Sequence, residues 1–345
     1  MRPARSARAL VALTFVSTFV LPGCSGSPAV EDRVRVIESA EVGGLFFLDS
    51  SHGWVVGSER KSRSLFIAAT EDGGQSWATT RIENKSRGFP TLTGIAFRDP
   101  SHGWAFGSHA LAFSTKDAGK TWEKEKAPGD IRTFRYRDGA GSLTLGPPGY
   151  SGRDGFFTFQ RDDFSSGRLR EKGLPNDVNM FPHDVQIVDP QTLWGFGDGT
   201  LYRSIDGGDS WTAIRIDEAY SGPHTIGPGI RSAFFLSATT GFIVVGDRLL
   251  ATTDAAATRK DLGSVRVGDA SRYQLYFFDE RRGVVLAATR DAGVILATAD
   301  GGRTWSKKVD LGPGEWSKLF VLDDQHAWAA GVVKTDVIVR PFAPQ

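Results

Sequence analysis

The chain has 345 residues, with 41 basic side chains against 40 acidic ones and a formal net charge of +1. That balance leaves no electrostatic footprint for nucleic acid. Its 41 glycines and 11% aromatic content suit many short strands joined by tight turns, and a closed all-β toroid reaches this length as one unit.

In chain order, the first element is an export signal. Arg2, Arg5 and Arg8 form a positive region, and Ala9 to Val20 form an apolar run too short to span a bilayer comfortably. The run ends in Leu21-Pro22-Gly23-Cys24, and Cys24 is the only cysteine, so no internal disulfide is available to the chain. This stretch resembles the bacterial lipoprotein lipobox. The resemblance implies a diacylglyceryl thioether on Cys24, cleavage of residues 1–23, and a protein exported and lipid-anchored to the cell envelope. Residues 24–32, small and polar at their start, read as a tether, and 33–341 as the folded body.

The body is repetitive. The phrases "TEDGGQSW" (70–77), "TKDAGKTW" (115–122), "SIDGGDSW" (204–211) and "TADGGRTW" (298–305) each follow a short alternating apolar run. Alternation with period two predicts strands, and the acid and glycines between them predict a hairpin turn. In that turn Asp72, Asp117, Asp206 and Asp300 accept backbone hydrogen bonds, and glycine supplies positive φ. Trp77, Trp122, Trp211 and Trp305 begin the return strand and are expected to pack against the neighbouring unit. The phrase is thus a hairpin staple.

Roughly 20 residues before each staple comes a second phrase, as in "FLDSSHGWVVG" (47–57), "FRDPSHGWAFG" (97–107) and "IVDPQTLWGFG" (187–197). A further copy, "VLDDQHAWAAG" (321–331), has no staple after it, and poorer copies start near 136, 235 and 277. Two hairpins per unit make a four-stranded antiparallel sheet, and the spacing is that of propeller blades. Seven blades are predicted, starting near Gly44, Thr91, Arg132, His183, Arg231, Tyr273 and Trp316. The last has three strands of its own, and "RVRVIESA" (33–40) is expected to complete it and close the ring.

The staple resembles the Asp-box, or bacterial neuraminidase repeat. Together with the D-x-x-H-G-W-x-x-G phrase it resembles the photosystem II stability/assembly factor family, over residues 33 to 341 with blades three and five departing from the pattern. The resemblance implies an all-β, seven-bladed propeller of the kind found as a lipoprotein in cyanobacteria. It leaves function open, because relatives occur in bacteria without photosystems.

His52, His102 and His326 recur at one repeat position and therefore sit far apart around a ring, which excludes a shared metal ion. No cofactor and no metal are expected. Unrepeated residues on loops are where function should lie. The face receiving the blade starts and the B–C loops carries Arg132, Arg135, His183, Arg231, Tyr273 and Trp316, residue types that anchor protein interfaces. The preferred reading is a non-catalytic, lipid-anchored binding or assembly propeller whose partner is a membrane or envelope protein. The alternative is a glycan-binding or sialidase-like glycoside hydrolase propeller. Against it, there is no Arg-Ile-Pro motif, and the six tyrosines lack an evident glutamate partner.

Overall fold

The computed structural model describes residues 33–344 except 63, 84–89, 128–130, 138–139, 146–155, 161–169, 173–183, 198, 217–228 and 266. For the strands between 131 and 172 it describes the backbone alone. The predicted signal, Cys24 and the tether lie outside these residues.

Among the described residues are seven four-stranded antiparallel sheets, each running from an inner strand A to an outer strand D. The inner strands are Ala40–Phe47, Leu92–Phe97, Ile131–Arg137, Asp184–Ile187, Ile230–Phe235, Arg272–Phe277 and Glu315–Val321. Each packs against the next, and the first packs against the last, so the blades form a closed ring. Short alternating runs give the strands, and their two faces are both apolar because each sheet is covered on both sides by its neighbours.

The ring closes as the sequence predicts. Val34–Ile37 is the outer strand of blade 7, pairing antiparallel with Asp336–Phe342 through Val34↔Val339 and Ile37↔Val337. The closing strand is shorter than residues 33–40, because Ser39 turns with φ 52° and Ala40 already belongs to blade 1. A second latch comes from Arg33, which hydrogen-bonds the Leu311 carbonyl of blade 6 and lies 5.7 Å from the Trp316 ring centroid.

The core sits in the seams between blades. At the end of strand A an aromatic ring stacks on a ring of strand B in the preceding blade. Phe47 lies 3.6 Å from Trp328, Phe97 3.5 Å from Trp54, Phe235 3.8 Å from Trp194 and Phe277 3.6 Å from Phe242, all within 12° of parallel. Such pairs add about 0.5–1.5 kcal/mol each beyond the area they bury. Room for the phenyl comes from a glycine at the start of strand B. A Cβ at Gly53 would stand 2.3 Å from the Phe47 ring, and one at Gly241 2.3 Å from Phe235.

The staple tryptophans enter the same seams edge-on. Trp77, Trp122 and Trp305 lie 6.1–6.2 Å from Phe47, Phe97 and Phe277 of their own blades at 81–87°. The expected contact with the neighbouring unit is therefore made in the seam core, with strand A's phenylalanine as the intermediary.

Candidate partner-binding face

One end of the ring carries the A–B turns and the staples. Every staple is built alike. The Thr70 hydroxyl donates to Asp72 Oδ1 at 2.7 Å and accepts from the Gly74 N–H at 2.9 Å. Asp72 in turn accepts from the Ser76 N–H at 2.9 Å and from the Ser76 hydroxyl at 2.6 Å. Asp117, Asp206 and Asp300 repeat these bonds. Donors that favour the ionised form depress a carboxyl pKa. The Thr121 hydroxyl and N–H hold Asp117 at about 2, and the Thr304 hydroxyl and N–H hold Asp300 at about 2. These acids are committed to their own turns.

A fifth staple was not evident from sequence. Residues 252–259, Thr-Thr-Asp-Ala-Ala-Ala-Thr-Arg, make the same bonds through Thr252, Asp254 and Thr258. Ala255 and Ala256 take φ of 60° and 64° where the other staples use glycine in the second position and glycine or alanine in the first. Arg259 stands at the tryptophan position. The retained signal was the Thr-x-Asp-x-x-x-Thr spacing.

The A–B turns are likewise self-contained. Asp49, Asp99 and Asp323 each accept backbone N–H bonds and the Nδ1 bond of their own histidine, at 2.9 Å to His52, 3.0 Å to His102 and 2.8 Å to His326. Burial alone would raise the Asp99 carboxyl. The bonds from His102, Ser101 and Arg98 outweigh it and keep that carboxyl well below the usual range. Each of the three imidazoles uses its Nδ1 inside its own turn.

The opposite end, the B–C face, carries the blade starts. Here the structure separates the residues that the sequence grouped. Trp316 is 0% exposed, packed in the seam between blades 6 and 7 with its Nε1 donating to the Gly312 carbonyl at 3.1 Å. Tyr273 is 4% exposed and donates its hydroxyl to the Ala270 carbonyl at 3.2 Å. Neither ring is presented to a partner, which corrects the expectation for both. His183 lies outside the described residues, and only backbone is described for Arg132 and Arg135.

Arg231 and Arg132 share a register position. In each inner strand one residue is inserted between paired neighbours, Ile230 and Ser232 in blade 5 and Ile131 and Thr133 in blade 3. Gly43, Thr93 and Ser317 occupy the same bulge in blades 1, 2 and 7. A bulge re-aims its extra side chain and frees backbone groups, and bulges favour rims beside functional sites. Arg231 is exposed and has no ion-pair partner among the described residues. Arg272, at the start of the next inner strand, and Arg290, in the B–C hairpin of blade 6, are exposed in the same way; Arg272 escaped the sequence reading. Three other arginines of this face are paired: Arg60 lies 3.4 Å from Glu41, Arg81 2.5 Å from Glu59, and Arg248 pairs with Asp261. Among the described residues, Arg231, Arg272 and Arg290 thus place three exposed arginines without an ion pair on blades 5 and 6.

Behind them, the inner strands are tied by side chains. Gln186 exchanges two hydrogen bonds of 2.8 Å with the Phe235 backbone, and Gln274 bonds the Ser317 carbonyl at 3.0 Å and the Leu319 N–H at 2.6 Å. The Ser232 hydroxyl accepts from the Leu275 N–H at 3.0 Å. A cavity of about 200 Å³ lies between these strands, lined by Asp184, Gln186, Ser232, Phe234, Gln274 and Tyr276. Its two amides and the Ser232 hydroxyl are already engaged in holding blades 4 to 7 together.

The sequence profile described as photosynthesis system II assembly factor YCF48 matches residues 33–124, the closing strand and the first two blades. No curated protein sequence matches the chain. Among solved structures, "YCF48 bound to D1 peptide" aligns over 91% of this chain and 98% of its own, with TM-score 0.67 and 17% identity. YCF48 from Cyanidioschyzon merolae aligns over 91% and 99%, with TM-score 0.61 and 15% identity. Virginiamycin B lyase from Staphylococcus aureus aligns over 90% and 98%, with TM-score 0.63 and 12% identity. The chain is a β-propeller similar to YCF48, and the lyase shares the fold.

Proposed function

We propose that this chain is a non-catalytic, lipid-anchored binding or assembly propeller whose B–C face holds a segment of a membrane or envelope protein. The observation that carries the reading is the similarity, along 91% of the chain, to a YCF48 structure that holds a D1 peptide. The exposed arginines Arg231, Arg272 and Arg290 support it, since unpaired guanidinium groups recognise carboxylates and carbonyls of a polypeptide through several donors at once. The staple acids of the other face support it too, because their hydrogen bonds are used inside their own turns.

Anchoring through Cys24 belongs to the same proposal. Nine residues of tether span at most about 30 Å, which would keep the ring close to the membrane that holds its partner. Capture of membrane proteins from solubilised envelopes, with wild type and with Arg231→Ala/Arg272→Ala, tests the binding face. The double variant should melt like wild type and lose the captured partner at least tenfold. Equal capture would overturn the assignment of the face, and steady turnover of a fluorogenic sialoside by wild type would overturn the non-catalytic reading. Cys24→Ser should release the protein from membranes; unchanged retention and mass would refute the anchor.

A further inference from the structure

One row of side chains in blade 4 carries a cation where other blades carry a small residue. Trp194 of strand B stacks on Phe235 of blade 5, and Arg203 and Thr212 continue its row across strands C and D. Residues directly opposite in a sheet point to the same side, so Arg203 faces blade 5 as Trp194 does. The same place on strand C holds Ala69, Ser114, Ala251 and Ala297 in blades 1, 2, 5 and 6.

The half-buried Arg203 guanidinium lies 5.8 Å from the Trp194 ring centroid. Its Nε is enclosed without an acceptor, and Trp194, 2% exposed, holds an Nε1 in the same condition. Arg203 has no ion-pair partner among the described residues, and its two Nη atoms are not enclosed. Across the seam the chain adds a second cation. Arg259 takes the staple position that tryptophan holds elsewhere and bonds the carbonyl of Ala256, which packs in one cluster with Trp194 and Leu201. The A–B turn of blade 5 has also lost its acid. Ser237 accepts the Thr239 and Thr240 N–H groups there, where Asp49, Asp99, Asp189, Asp279 and Asp323 serve in other blades. The staple acid Asp254 is committed to Thr252 and Thr258.

A partly desolvated cation without a counter-ion is costly to keep, and stacking on an indole fixes its plane. Both features favour a carboxylate that arrives from outside and meets the Nη edge in a fork. Ile205, two residues on, narrows the source. It is 60% exposed, the one large hydrophobic side chain so exposed among the described residues; the matching staple residues are Glu71, Lys116, Thr253 and Ala299. In blade 5 the equivalents of Arg203 and Ile205, Ala251 and Thr253, line one groove against blade 6. Ile205 therefore stands at the rim of the groove that Arg203 occupies. A small anion gains nothing from an isoleucine, whereas an acidic residue with an apolar neighbour meets both.

We propose that this seam, on the staple face between blades 4 and 5, binds an acidic side chain of a partner polypeptide, with Arg203 taking the carboxylate and Ile205 an adjoining apolar side chain. The site is separate from the B–C face and does not rest on the function assigned to it.

The test is a titration of the full chain, carrying nitrogen-labelled arginine and methyl-labelled isoleucine, with the N-acetylated, C-amidated peptide Gly-Glu-Leu-Gly. Saturable shifts are expected at the Arg203 Nε–H and the Ile205 methyl groups. The Gln counterpart of the peptide should bind at least tenfold more weakly, and inorganic phosphate should not displace the Glu peptide. Arg203→Ala installs the residue of blades 1, 5 and 6; it should melt no lower than wild type and weaken the peptide at least tenfold. Arg203→Lys keeps the charge without the fork and serves if the first variant does not fold; it should bind at least threefold more weakly. Arg231→Ala/Arg272→Ala should bind as wild type. Absence of saturable shifts, equal binding of the Gln peptide, displacement by phosphate, or undiminished binding in a folded Arg203 variant would each overturn the proposal. So would a clear fall in the melting temperature of Arg203→Ala, which would make the guanidinium a structural tie.

Discussion

Arg259 Nη1 donates to the Ala256 carbonyl at 2.8 Å, the bond that Trp211 Nε1 makes to the Gly208 carbonyl at 3.1 Å. An exposed guanidinium thus reproduces the indole's polar contact while contributing none of its buried ring. The two functions of the staple tryptophan, closing the turn and filling the seam, are separable.

That separation is measurable by substitution. Trp211→Ala should cost about 3–5 kcal/mol, as loss of a large buried aromatic does. Arg259→Ala should cost about 1 kcal/mol, the net worth of one hydrogen bond. Urea denaturation of the two variants decides the matter; equal losses would show that the hydrogen bond dominates in both blades.

Removing residues 33–39 should open blade 7. The buried Val36 and Ile37 alone are worth about 4 kcal/mol between them. A truncated chain with an unaltered unfolding midpoint would mean that the ring does not depend on this strand.

Gln274→Glu replaces an amide donor with a second carboxylate oxygen beside the Ser317 carbonyl, while the Leu319 N–H keeps its acceptor. The expected cost is about 1–3 kcal/mol, the penalty for an unsatisfied polar group in a largely closed site. Hydrogen exchange at Leu319 should change little, whereas the midpoint falls. A midpoint unchanged at pH 7 would rule out the amide as a tie between blades 6 and 7.

The staple acids predict an acid limit. Asp117 and Asp300, held at about 2, bind protons less readily folded than unfolded, where an aspartate titrates near 3.9. Their contribution is complete above about pH 4 and disappears as the pH falls through about 2. Melting temperatures measured from pH 5 to 2 should drop across that interval, and Asp300→Asn should flatten the drop. Parallel curves for variant and wild type would exclude Asp300 as a source.

The blades were legible in the sequence because aspartate, two small residues, a hydroxyl and tryptophan recur at fixed spacing. The fifth staple was not, because alanine at 256 and arginine at 259 replace the second glycine and the tryptophan while the hydrogen bonds persist. The interface residues were partly misplaced for a different reason. Alternation assigns a side chain to a face only while the register is continuous. In blade 7 the bulge at Ser317 inserts one residue, which turns Trp316 to the same side as Leu319 and Val321, inside the seam with blade 6. The inner strand of blade 6 has no bulge, so Tyr273 falls in line with Leu275 and Phe277, on the core side of its strand. A single inserted residue leaves no mark in composition. Arg231 stayed outside because it is the inserted residue itself.

The pairing of Val34 with Val339 also sets an order of events during synthesis. A ribosome makes the closing strand first and its partner last, so the earliest strand waits unpaired while six blades are assembled. Blade 7 is meanwhile a three-stranded sheet with a bare edge, the state most open to pairing with another chain. The interval is unavoidable in this topology. Any factor that holds residues 33–37 during that time controls when the ring locks.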